Sequence, residues 1–525
     1  MANSWGLGDA YDATIGRIKA QEEDRARLGM DALMWISHSE RPLTADEICH
    51  ALAVEIGSTD INTNNVPSIR TVLDCCQGLA TIDKGSLAIR LIHFTLNEYL
   101  SDHTELLRGP HSRIAETCLT YLNSRAIRDF SASSSREPRG TPFLGYASFY
   151  WGTHMRMELS ERSRHLALSF LDQYDNHISA RILWKSIIEW YFNSLNLFSA
   201  LHCVSYFGIA ELAIDLIKTK RWDVNQRDSG GLTPLIWAAR YGWEQVVELL
   251  LEQKDTQPDM SDLRYGRTAL SWAAGSGHAG VVRLFLCRRF VNPGSIGRRW
   301  GKAPRVMSLL FGRNYINPDR PDCSGQTPLS WAARTGHDEV VELLLEREDV
   351  SPDRPDNGGQ TPLSWATRNG HDGAAGLLLE RGDVGPDRPD NYGRTPLSWA
   401  ARNGCDGAVR LLLERQEVAP NMPDNDGQTP LTWAARSGRD GVVKLLLGRG
   451  DVTLNRLDND GQTPFLWAAR NGHDGVVDLL LGREDIGLDW PDNRGQTPLS
   501  WASRNEHDGV VKQIKARRPA TPCLV

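Results

Sequence analysis

A tripeptide that recurs at a fixed interval constrains this chain more than any other feature. Thr-Pro-Leu, or Thr-Pro-Phe in one copy, starts at Thr233, Thr327, Thr361, Thr395, Thr429, Thr463 and Thr497. From Thr327 onward the interval is always 34 residues. The variants Thr268-Ala-Leu and Ser199-Ala-Leu-His add two further copies. A period of this length predicts an array of short units that fold against their neighbours.

Each unit carries the signals of two helices. Thr327 suits a helix N-cap, and the proline after it suits the first turn, where its missing N–H costs nothing. Ala332 and Ala333 have little bulk, so another helix can approach closely, and Gly336 suits the left-handed end of the helix. Val-Val-x-Leu-Leu-Leu then gives the apolar stripe of a second helix. The proline-rich stretch 352–357 predicts an extended turn, or finger.

This unit resembles the ankyrin repeat, which combines a Thr-Pro-Leu-His-x-Ala-Ala helix, a Gly-His turn and a Val-Val-x-Leu-Leu-Leu helix. The resemblance covers about residues 195–518 in nine copies, although Ser330 and its equivalents replace the usual histidine except at His202. It implies helix pairs stacked in one direction, with fingers projecting from them. The predicted fold class is therefore mainly α, an ankyrin-repeat solenoid preceded by a winged-helix domain and a helical junction.

The repeat is irregular at two places. The step from Thr268 to Thr327 is 59 residues, which is nine short of two periods. Residues 287–315 are interpreted as one further, damaged copy, and a kink or a local gap in the stack is expected there. In the last repeat Glu506 replaces the turn glycine, and the more polar second helix is typical of a capping repeat that faces water.

Residues 1–125 do not follow the repeat pattern and predict a winged-helix domain. Helical patterns occur at 9–37, 44–56, 66–77 and 111–124, and Thr44 with Glu47 forms a capping-box signal. Residues 78–92 predict two short strands around Lys84-Gly85. Residues 126–194 are interpreted as a helical junction packed on the first repeat, because they contain Trp151, Trp184, Trp190 and Tyr191 at mostly helical spacing after a polar loop at 131–140. Residues 519–525 form a tail.

The segments 32–44, 47–56 and 89–99 resemble the winged helix that follows the NACHT ATPase in fungal NOD-like proteins, a segment labelled after GPI inositol-deacylase. In those proteins ankyrin repeats follow it, which implies a signalling role of the heterokaryon or innate-recognition type. No phosphate-binding G-x-x-x-x-G-K-[ST] motif is present, because Gly301-Lys302 is followed by Ala303. The chain is therefore expected to lack the ATPase, as a truncated paralogue or an incomplete gene model would.

Composition narrows the class of protein. The net charge of −7 argues against a general nucleic-acid binder, and no apolar run is long enough to cross a membrane. The first thirty residues lack the apolar core of a signal peptide, and nine scattered cysteines without a C-x-x-C pair predict reduced thiols in a cytoplasmic protein. The segment Arg288–Arg305 has six basic residues and no acidic one, which leaves nuclear import or a phosphate contact open beside a solvated loop.

Enzyme chemistry has little support in the residues. Neither G-x-S-x-G nor H-E-x-x-H occurs, so no lipase elbow and no zinc-protease site is predicted. The Gly-His-Asp turns at His337, His371 and His473 lie one repeat apart, about 10 Å, which is too far to share a metal ion. Cys75 and Cys76 are interpreted as buried apolar residues. No catalytic residue, metal or cofactor is therefore predicted.

The candidate site is a repeated Trp–Arg pair. Trp331 and Arg334 share one helix face, and in the ankyrin family the positions after Ala-Ala line a concave groove together with the finger tips. The predicted partner-binding residues are Trp331, Arg334, Thr335, Arg368, Asn369, Arg402, Asn403, Arg436, Arg470 and Tyr392. Trp and Arg dominate binding hot spots, which favours an acidic protein segment as partner. Alternatively, the tryptophans pack under the next finger and the arginines stack on them by cation–π attraction.

The predicted function is a non-catalytic scaffold that binds proteins through the ankyrin groove. The alternative is a nucleic-acid-binding regulator that uses its winged helix, since that shape can place a helix in the major groove. Residues 66–77, the third helix, carry Arg70 but also Asp74 and no lysine. The sequence therefore favours protein partners over nucleic acid, and no membrane partner is expected.

Overall fold

A computed structural model describes residues 7–83, 85–130, 140–187, 198–287 and 316–517. The chain forms two compact units. The first comprises Met1–Ala238 and Gln245–Thr256, and the second comprises Ala239–Glu244 and Gln257–Val525. The fold is mainly α-helical, as the sequence predicts.

The first unit begins with helices and one short hairpin. Their bounds are α1 Leu7–Lys19, α2 Glu23–His38, α3 Ala45–Leu52, α4 Ile69–Cys75, β1 Ala80–Ile82, β2 Ile89–Leu91, α5 Phe94–Asp102, α6 Pro110–Asn123 and α7 Arg125–Arg128. The single pattern at 9–37 is thus two helices, since the chain turns between Lys19 and Glu23. Helix α5 was not predicted.

The order of α2, α3, α4 and the hairpin is that of a winged helix. Thr44 caps α3 in a capping box with Glu47, whose side chain also pairs with Arg41. Strands β1 and β2 are antiparallel, and Thr44 forms a further antiparallel bridge with Ala88. The apolar side chains of these helices are buried at Leu33, Trp35, Ile48 and Val72. Burial of those side chains is the main stabilisation of this small domain.

Three helices follow, α8 Leu144–Met157, α9 Glu161–Leu171 and α10 Ile178–Ile187. Trp151 of α8 is fully buried and lies edge-on to Phe170 of α9 and to Phe207, at 5.6 and 5.2 Å between ring centres. Phe207 belongs to the first helix pair of the repeats. The predicted packing of an aromatic junction on the first repeat is therefore found in these residues. Trp190, Tyr191 and most of the predicted 131–140 loop lie outside the described residues.

Nine helix pairs occupy the described part of the repeat region. The pairs are α11 Ala200–Phe207 and α12 Ala210–Lys218; α13 Pro234–Arg240 and α14 Glu244–Glu252; α15 Ala269–Ser276 and α16 Ala279–Cys287; α17 Pro328–Thr335 and α18 Asp338–Leu345; α19 Pro362–Asn369 and α20 Asp372–Leu379; α21 Pro396–Asn403 and α22 Asp406–Leu413; α23 Pro430–Arg436 and α24 Asp440–Leu447; α25 Pro464–Asn471 and α26 Asp474–Leu481; and α27 Pro498–Arg504 and α28 Asp508–Arg517.

The repeat signals act locally as predicted. The Thr327 hydroxyl accepts a hydrogen bond from the Ser330 N–H at 3.1 Å, which caps α17. Gly336 ends that helix at φ 75°, a left-handed conformation in which a Cβ would be strained. Ala332 and Ala333 are fully buried between neighbouring first helices. The small residues thus set the close stacking of the units.

Neighbouring fingers are joined by main-chain hydrogen bonds. The Asn391 N–H donates to the Gly358 carbonyl at 3.0 Å, and the Asn425 N–H donates to the Tyr392 carbonyl at 2.9 Å. The Asn391 side chain also donates to the Asn357 carbonyl at 2.9 Å. From the finger of Asn357 to that of Asn493, each finger is therefore tied to the finger before it by both backbone and side chain.

The stack is continuous in the second unit where a kink or gap was expected. The Cys323 N–H donates to the Tyr265 carbonyl at 2.8 Å, the same finger-to-finger bond as in later repeats. Arg320 pairs with Asp259 at 3.1 Å, as Arg354 pairs with Asp319. Helix α15 therefore contacts α17 directly, and the expected gap between them is wrong. Residues 288–315, most of the predicted damaged copy, and the basic residues from Arg288 to Arg305 lie outside the described residues, as does the 519–525 tail.

The last repeat has the predicted polar second helix. Within α28 the side chains of Val510 and Ile514 are buried, whereas its basic residues at the C-terminal end are exposed. Glu506 occupies the turn at φ 60°, where the earlier repeats have glycine. A left-handed residue with a Cβ costs roughly 1–2 kcal/mol, so this turn is strained.

Candidate functional site

Each repeat tryptophan is fixed by an aspartate in its own finger. In seven first helices of the second unit the indole Nε1–H donates to the carboxylate nine or ten residues earlier, at 2.7–3.0 Å. The Asp458 carboxylate, for example, accepts from Trp467 at 2.7 Å through Oδ2 and from the Asp460 and Gln462 N–H groups through Oδ1. The aspartate therefore shapes the finger and holds the indole at once.

An arginine lies between each pair of successive tryptophans. The Arg334 Cζ is 5.0 Å from the ring centre of Trp331 in its own repeat and 4.3 Å from that of Trp365 in the next. The arrangement recurs along the second unit, and we call it the arginine–tryptophan ladder. Its members are Arg240, Trp272, Arg267, Trp331, Arg334, Trp365, Arg368, Trp399, Arg402, Trp433, Arg436, Trp467, Arg470, Trp501 and Arg504.

A glutamine at the end of the finger orients four of these arginines. Arg334 donates to the Gln326 amide oxygen at 3.2 Å, and Arg368 donates to that of Gln360 at 3.1 Å. Arg436 and Arg470 have the same partner, eight residues earlier. The amide oxygen is neutral, so it fixes the guanidinium without cancelling its charge. The ladder is therefore a rigid row of cations.

Arg267 completes the ladder where a repeat has no arginine after its tryptophan. The position three residues after Trp272 is Gly275, and a Cβ there would lie 2.4 Å from Nη2 of Arg267. The Arg267 guanidinium fills this space, 4.0 Å from the Trp272 ring and 3.9 Å from the Trp331 ring. Burial lowers the pKa of Arg267 to about 10, against the opposing attraction of Asp322 and Asp262. Sequence reasoning missed this residue, although Gly275 and Arg267 depart from the repeat pattern together.

The other predicted site residues lie along the same edge. Asn369 and Asn403 follow the ladder arginines, are exposed, and donate to the carbonyls of Arg334 and Arg368 at 2.7 Å. Thr335 is also exposed, and its hydroxyl donates to the Trp331 carbonyl at 2.7 Å. Tyr392 stands at a finger tip with 64% of its surface exposed. The structure thus places the predicted arginines, polar residues and finger tip on one edge of the second unit.

Arg394, like Arg267, stands at the position where the later repeats have the finger glutamine. Arg394 lies five residues before Trp399, and its Cζ is 4.1 Å from that ring and 4.5 Å from the Tyr392 ring. Burial, and next repulsion by Arg394, lower the pKa of Arg368 and also that of Arg402. This second residue missed by sequence reasoning was visible as the only arginine in a column that is otherwise glutamine from Gln326 onward.

The histidine turns serve the stack. The His371 Nε2 lies 3.1 Å from the Arg334 carbonyl, and the His473 Nε2 lies 3.0 Å from the Arg436 carbonyl, each in the preceding repeat. Cys75 and Cys76 are buried, and burial raises the pKa of Cys76 to about 12. Among the described residues no group of histidine, cysteine or acidic side chains is placed to hold a metal ion. None of the helices that the structure describes has the length and apolarity to span a bilayer.

Three histidines pack together in the first unit. The His111 Nδ1 lies 2.8 Å from the His154 Nδ1, and the His154 Nε2 lies 2.8 Å from the Tyr146 hydroxyl. The His38 ring is edge-on to that of His111 at 5.4 Å. Burial lowers the pKa of all three, that of His154 to about 3, while Glu158 raises those of His38 and His111. Burial therefore favours the neutral form of all three histidines.

Two family models match the chain. Residues 201–294, 299–388, 376–456 and 451–518 match the model described as ankyrin repeats (3 copies), which covers more than half of the sequence. Residues 19–109 match the model described as GPI inositol-deacylase, winged helix domain. The match to the first extends over the arginine–tryptophan ladder, and the match to the second precedes it in the chain.

Proposed function

This chain belongs to the ankyrin-repeat family, and from that premise we propose that it is a non-catalytic scaffold that binds partner proteins along the ladder edge. Ankyrin repeats are generally protein-interaction modules, and their architecture is typically non-catalytic. The observation that carries the proposal is the row of exposed side chains beside the ladder, Thr335, Asn369, Asn403 and Tyr392. These groups are held by main-chain bonds and by stacked rings, so little conformational entropy is lost when a partner binds.

In this proposal the stacked arginines have two roles, one in the packing of the repeats and one in binding the partner. The guanidinium groups of Arg334, Arg368, Arg402, Arg436 and Arg470 each contact two indoles, so they contribute to the stack as well as to the positive potential of the edge. A partner would meet the outer face of the guanidinium, the asparagine amides and the finger tips. The proposed contacts are therefore Arg334, Arg368, Arg402, Arg436 and Arg470 together with the residues exposed beside them. Trp331 and its equivalents would support these groups from below.

Affinity capture from a lysate of the source organism tests this function. The full chain is immobilised as wild type, as the double variant Thr335→Glu/Tyr392→Ala, and as the control Glu380→Arg. Thr335 and Tyr392 are exposed on the ladder edge, whereas Glu380 is exposed at the end of the second helix α20. We expect mass spectrometry to find partner proteins with the wild type and the control, and to find them depleted several-fold with the double variant.

Equal recovery by all three proteins would refute binding along this edge, provided that circular dichroism shows equal folding. Neither Thr335 nor Tyr392 has a buried side chain, so both substitutions should be tolerated. The arginines are left intact in this experiment, since their removal would disturb the stack as well as the surface.

We further infer a cytoplasmic signalling role of the fungal NOD-like type. The support is the order of a GPI-inositol-deacylase-type winged helix followed by ankyrin repeats. In this proposal the winged helix contacts a NACHT ATPase carried on another chain. Capture with the full chain should then recover a NACHT protein whose binding survives the Thr335→Glu/Tyr392→Ala substitutions. Recovery of partners without any such ATPase would argue against this role and leave the scaffold function in place.

A further inference from the structure

One position of the ladder carries more positive charge than the rest. In four repeats the ladder arginine donates to a finger glutamine, whereas in the repeat of Arg402 that position is Arg394. Arg267 also occupies the glutamine position, but it fills the space left by Gly275. Arg394 fills no such space, because its own repeat already has Arg402. It is therefore a cation added to a complete ladder.

Three guanidinium groups surround the indole of Trp399. The Cζ atoms of Arg368, Arg394 and Arg402 lie 3.9, 4.1 and 5.5 Å from its ring centre. We call these residues the triarginine cluster. Crowding of three like charges in partly buried positions is unfavourable unless an anion balances them.

Little of the negative charge that would balance these arginines comes from the protein itself. The Asp390 carboxylate pairs with the Arg394 Nε at 3.3 Å and accepts the Trp399 Nε1–H at 3.0 Å. Its other oxygen accepts the N–H groups of Tyr392 and Arg394 at 2.9 and 3.0 Å. Both oxygens are thus already used. In the part of the chain that is described, the Arg402 guanidinium has no hydrogen-bond partner in the place where four other repeats offer a glutamine.

Two members of the cluster, Arg368 and Arg394, line a cleft of about 520 Å³. Trp365, Trp399 and Tyr392 also line it, as do Asp356 and Asp390, whose carboxylates accept the indole N–H groups of Trp365 and Trp399. Such a volume admits one or two side chains of a peptide. The Arg394 side chain is only 15% exposed, so an anion that reached it would be largely shielded from water. Hydrogen bonds between guanidinium and carboxylate are strong in such settings because both partners are charged.

We propose that the triarginine cluster binds an aspartate or glutamate side chain of an acidic peptide segment in the partner protein. This rests on the proposed scaffold function and assigns the chemistry of its central contact. A nucleic acid fits less well, since exposed Asp426 and Asp460 occupy the next two finger tips and would repel a track of phosphates. A short segment with one well-placed carboxylate meets the cluster without reaching those tips. Arg394 is the residue that determines this specificity.

The test uses a short fluorescein-labelled, terminally blocked peptide with one central glutamate among neutral residues, and the same peptide with glutamine in place of that glutamate. Anisotropy is followed with the full chain as wild type, Arg394→Gln and the control Arg410→Gln. Arg394→Gln restores the glutamine of the neighbouring repeats, and Arg410 is exposed on the second helix α22. We expect Arg394→Gln to weaken binding about tenfold, as loss of one charged hydrogen bond does, and Arg410→Gln to leave it unchanged.

A second variant introduces an arginine at the glutamine position of the next repeat. Gln428→Arg places the same substitution one repeat later, next to Arg436, and is expected to create a second peptide site of lower affinity, because Asp426 occupies the finger tip there where Tyr392 stands in the first site. Equal binding of the two peptides, or equal affinities of Arg394→Gln and Arg410→Gln, would overturn the proposal. So would the absence of binding up to about 1 mM peptide, a level that corresponds to negligible affinity.

These outcomes are separable from failure of the scaffold function. If the partners found by capture are retained by Arg394→Gln and lost by Thr335→Glu/Tyr392→Ala, the ladder edge binds proteins but the cluster is not the central contact. If a single-stranded oligonucleotide of matched charge binds more tightly than the glutamate peptide and loses that binding in Arg394→Gln, the cluster reads phosphate, and the carboxylate proposal is wrong.

Discussion

The Arg436 guanidinium lies closer to the indole of the next repeat than to its own, at 4.3 Å from the Trp467 ring centre against 5.3 Å from that of Trp433. Arg436, which belongs to one repeat by sequence, thus connects that repeat to the next. Its Nη1 also donates to Gln428 at 3.2 Å, which keeps the guanidinium plane in place. The predictions below start from such contacts.

Replacing Arg436 should weaken the stack. Arg436→Ala removes two cation–π contacts and is expected to destabilise the protein by about 1–2 kcal/mol. The stability of Arg436→Lys should lie between that of the wild type and that of Arg436→Ala. Urea unfolding followed by far-UV circular dichroism measures the change. Arg410→Ala on the outer helix should change stability by less than about 0.5 kcal/mol. Equal effects of the two alanine substitutions would show that the stacked geometry contributes nothing.

Removing a finger aspartate should loosen one finger. Asp458→Ala leaves the Trp467 Nε1–H and the N–H groups of Asp460 and Gln462 without their acceptor, at an expected cost of about 2–3 kcal/mol. Hydrogen exchange should quicken at the Asp460 and Gln462 amides before it does elsewhere. Asp478→Ala, which removes an exposed carboxylate from the second helix of that repeat, serves as the control. Unchanged protection at Asp460 and Gln462 would contradict the role given to Asp458.

The strained turn of the last repeat offers a stabilising change. Glu506 holds φ 60°, so Glu506→Gly should stabilise the protein by about 1 kcal/mol by relieving the clash of its Cβ with the backbone. Glu506→Ala removes the same charge but keeps the Cβ, so little gain is expected from it. Thermal unfolding of the two variants separates strain from charge. The reverse change Gly472→Glu should destabilise, because a Cβ there would meet the His507 ring at 2.6 Å.

The histidine cluster should make the first unit sensitive to acid. The folded-state pKa of His154 is about 3, below its ordinary value of 6.5, so the unfolded chain binds the proton more readily. This contribution is fully present above pH 6.5 and is lost as the pH falls towards 3, by about 1.4 kcal/mol at pH 5.5. His154→Gln should flatten the dependence of unfolding free energy on pH between 6.5 and 5. An unchanged slope would mean that His154 titrates normally in the folded protein.

The sequence predicts what is encoded within one unit. Thr327, Gly336 and the buried Ala332 act through their own helix, so their types and spacing were sufficient to predict its start, its end and its packing face. The winged-helix order was predictable for the same reason, through the Thr44 cap and the hairpin at 80–91. Helix α5 was missed because its signals, a His93 cap and an amphipathic segment, follow a strand without a clear break.

Contacts between units are harder to predict. Arg267 and Arg394 stand before their tryptophans rather than after them, outside the helix motif that reveals the repeat. Arg267 stacks on Trp331 and Arg394 repels Arg368, and both of these neighbours belong to adjacent repeats. Spacing along one helix gives no information about such contacts. The link from Trp467 to Asp458 was missed likewise, since it joins a helix to a finger.

The finger-to-finger bonds have a consequence for how such an array can change length. Asn391 is bonded to Gly358 and Asn425 to Tyr392, so each finger bond in this series joins a repeat to the one before it. Excising a whole period of 34 residues would bring together two surfaces that already have matching donors and acceptors. Unequal crossing-over between such similar coding segments would therefore yield shorter or longer arrays that still fold. Copies that lack Arg394 could then be gained or lost without changing the number of triarginine clusters.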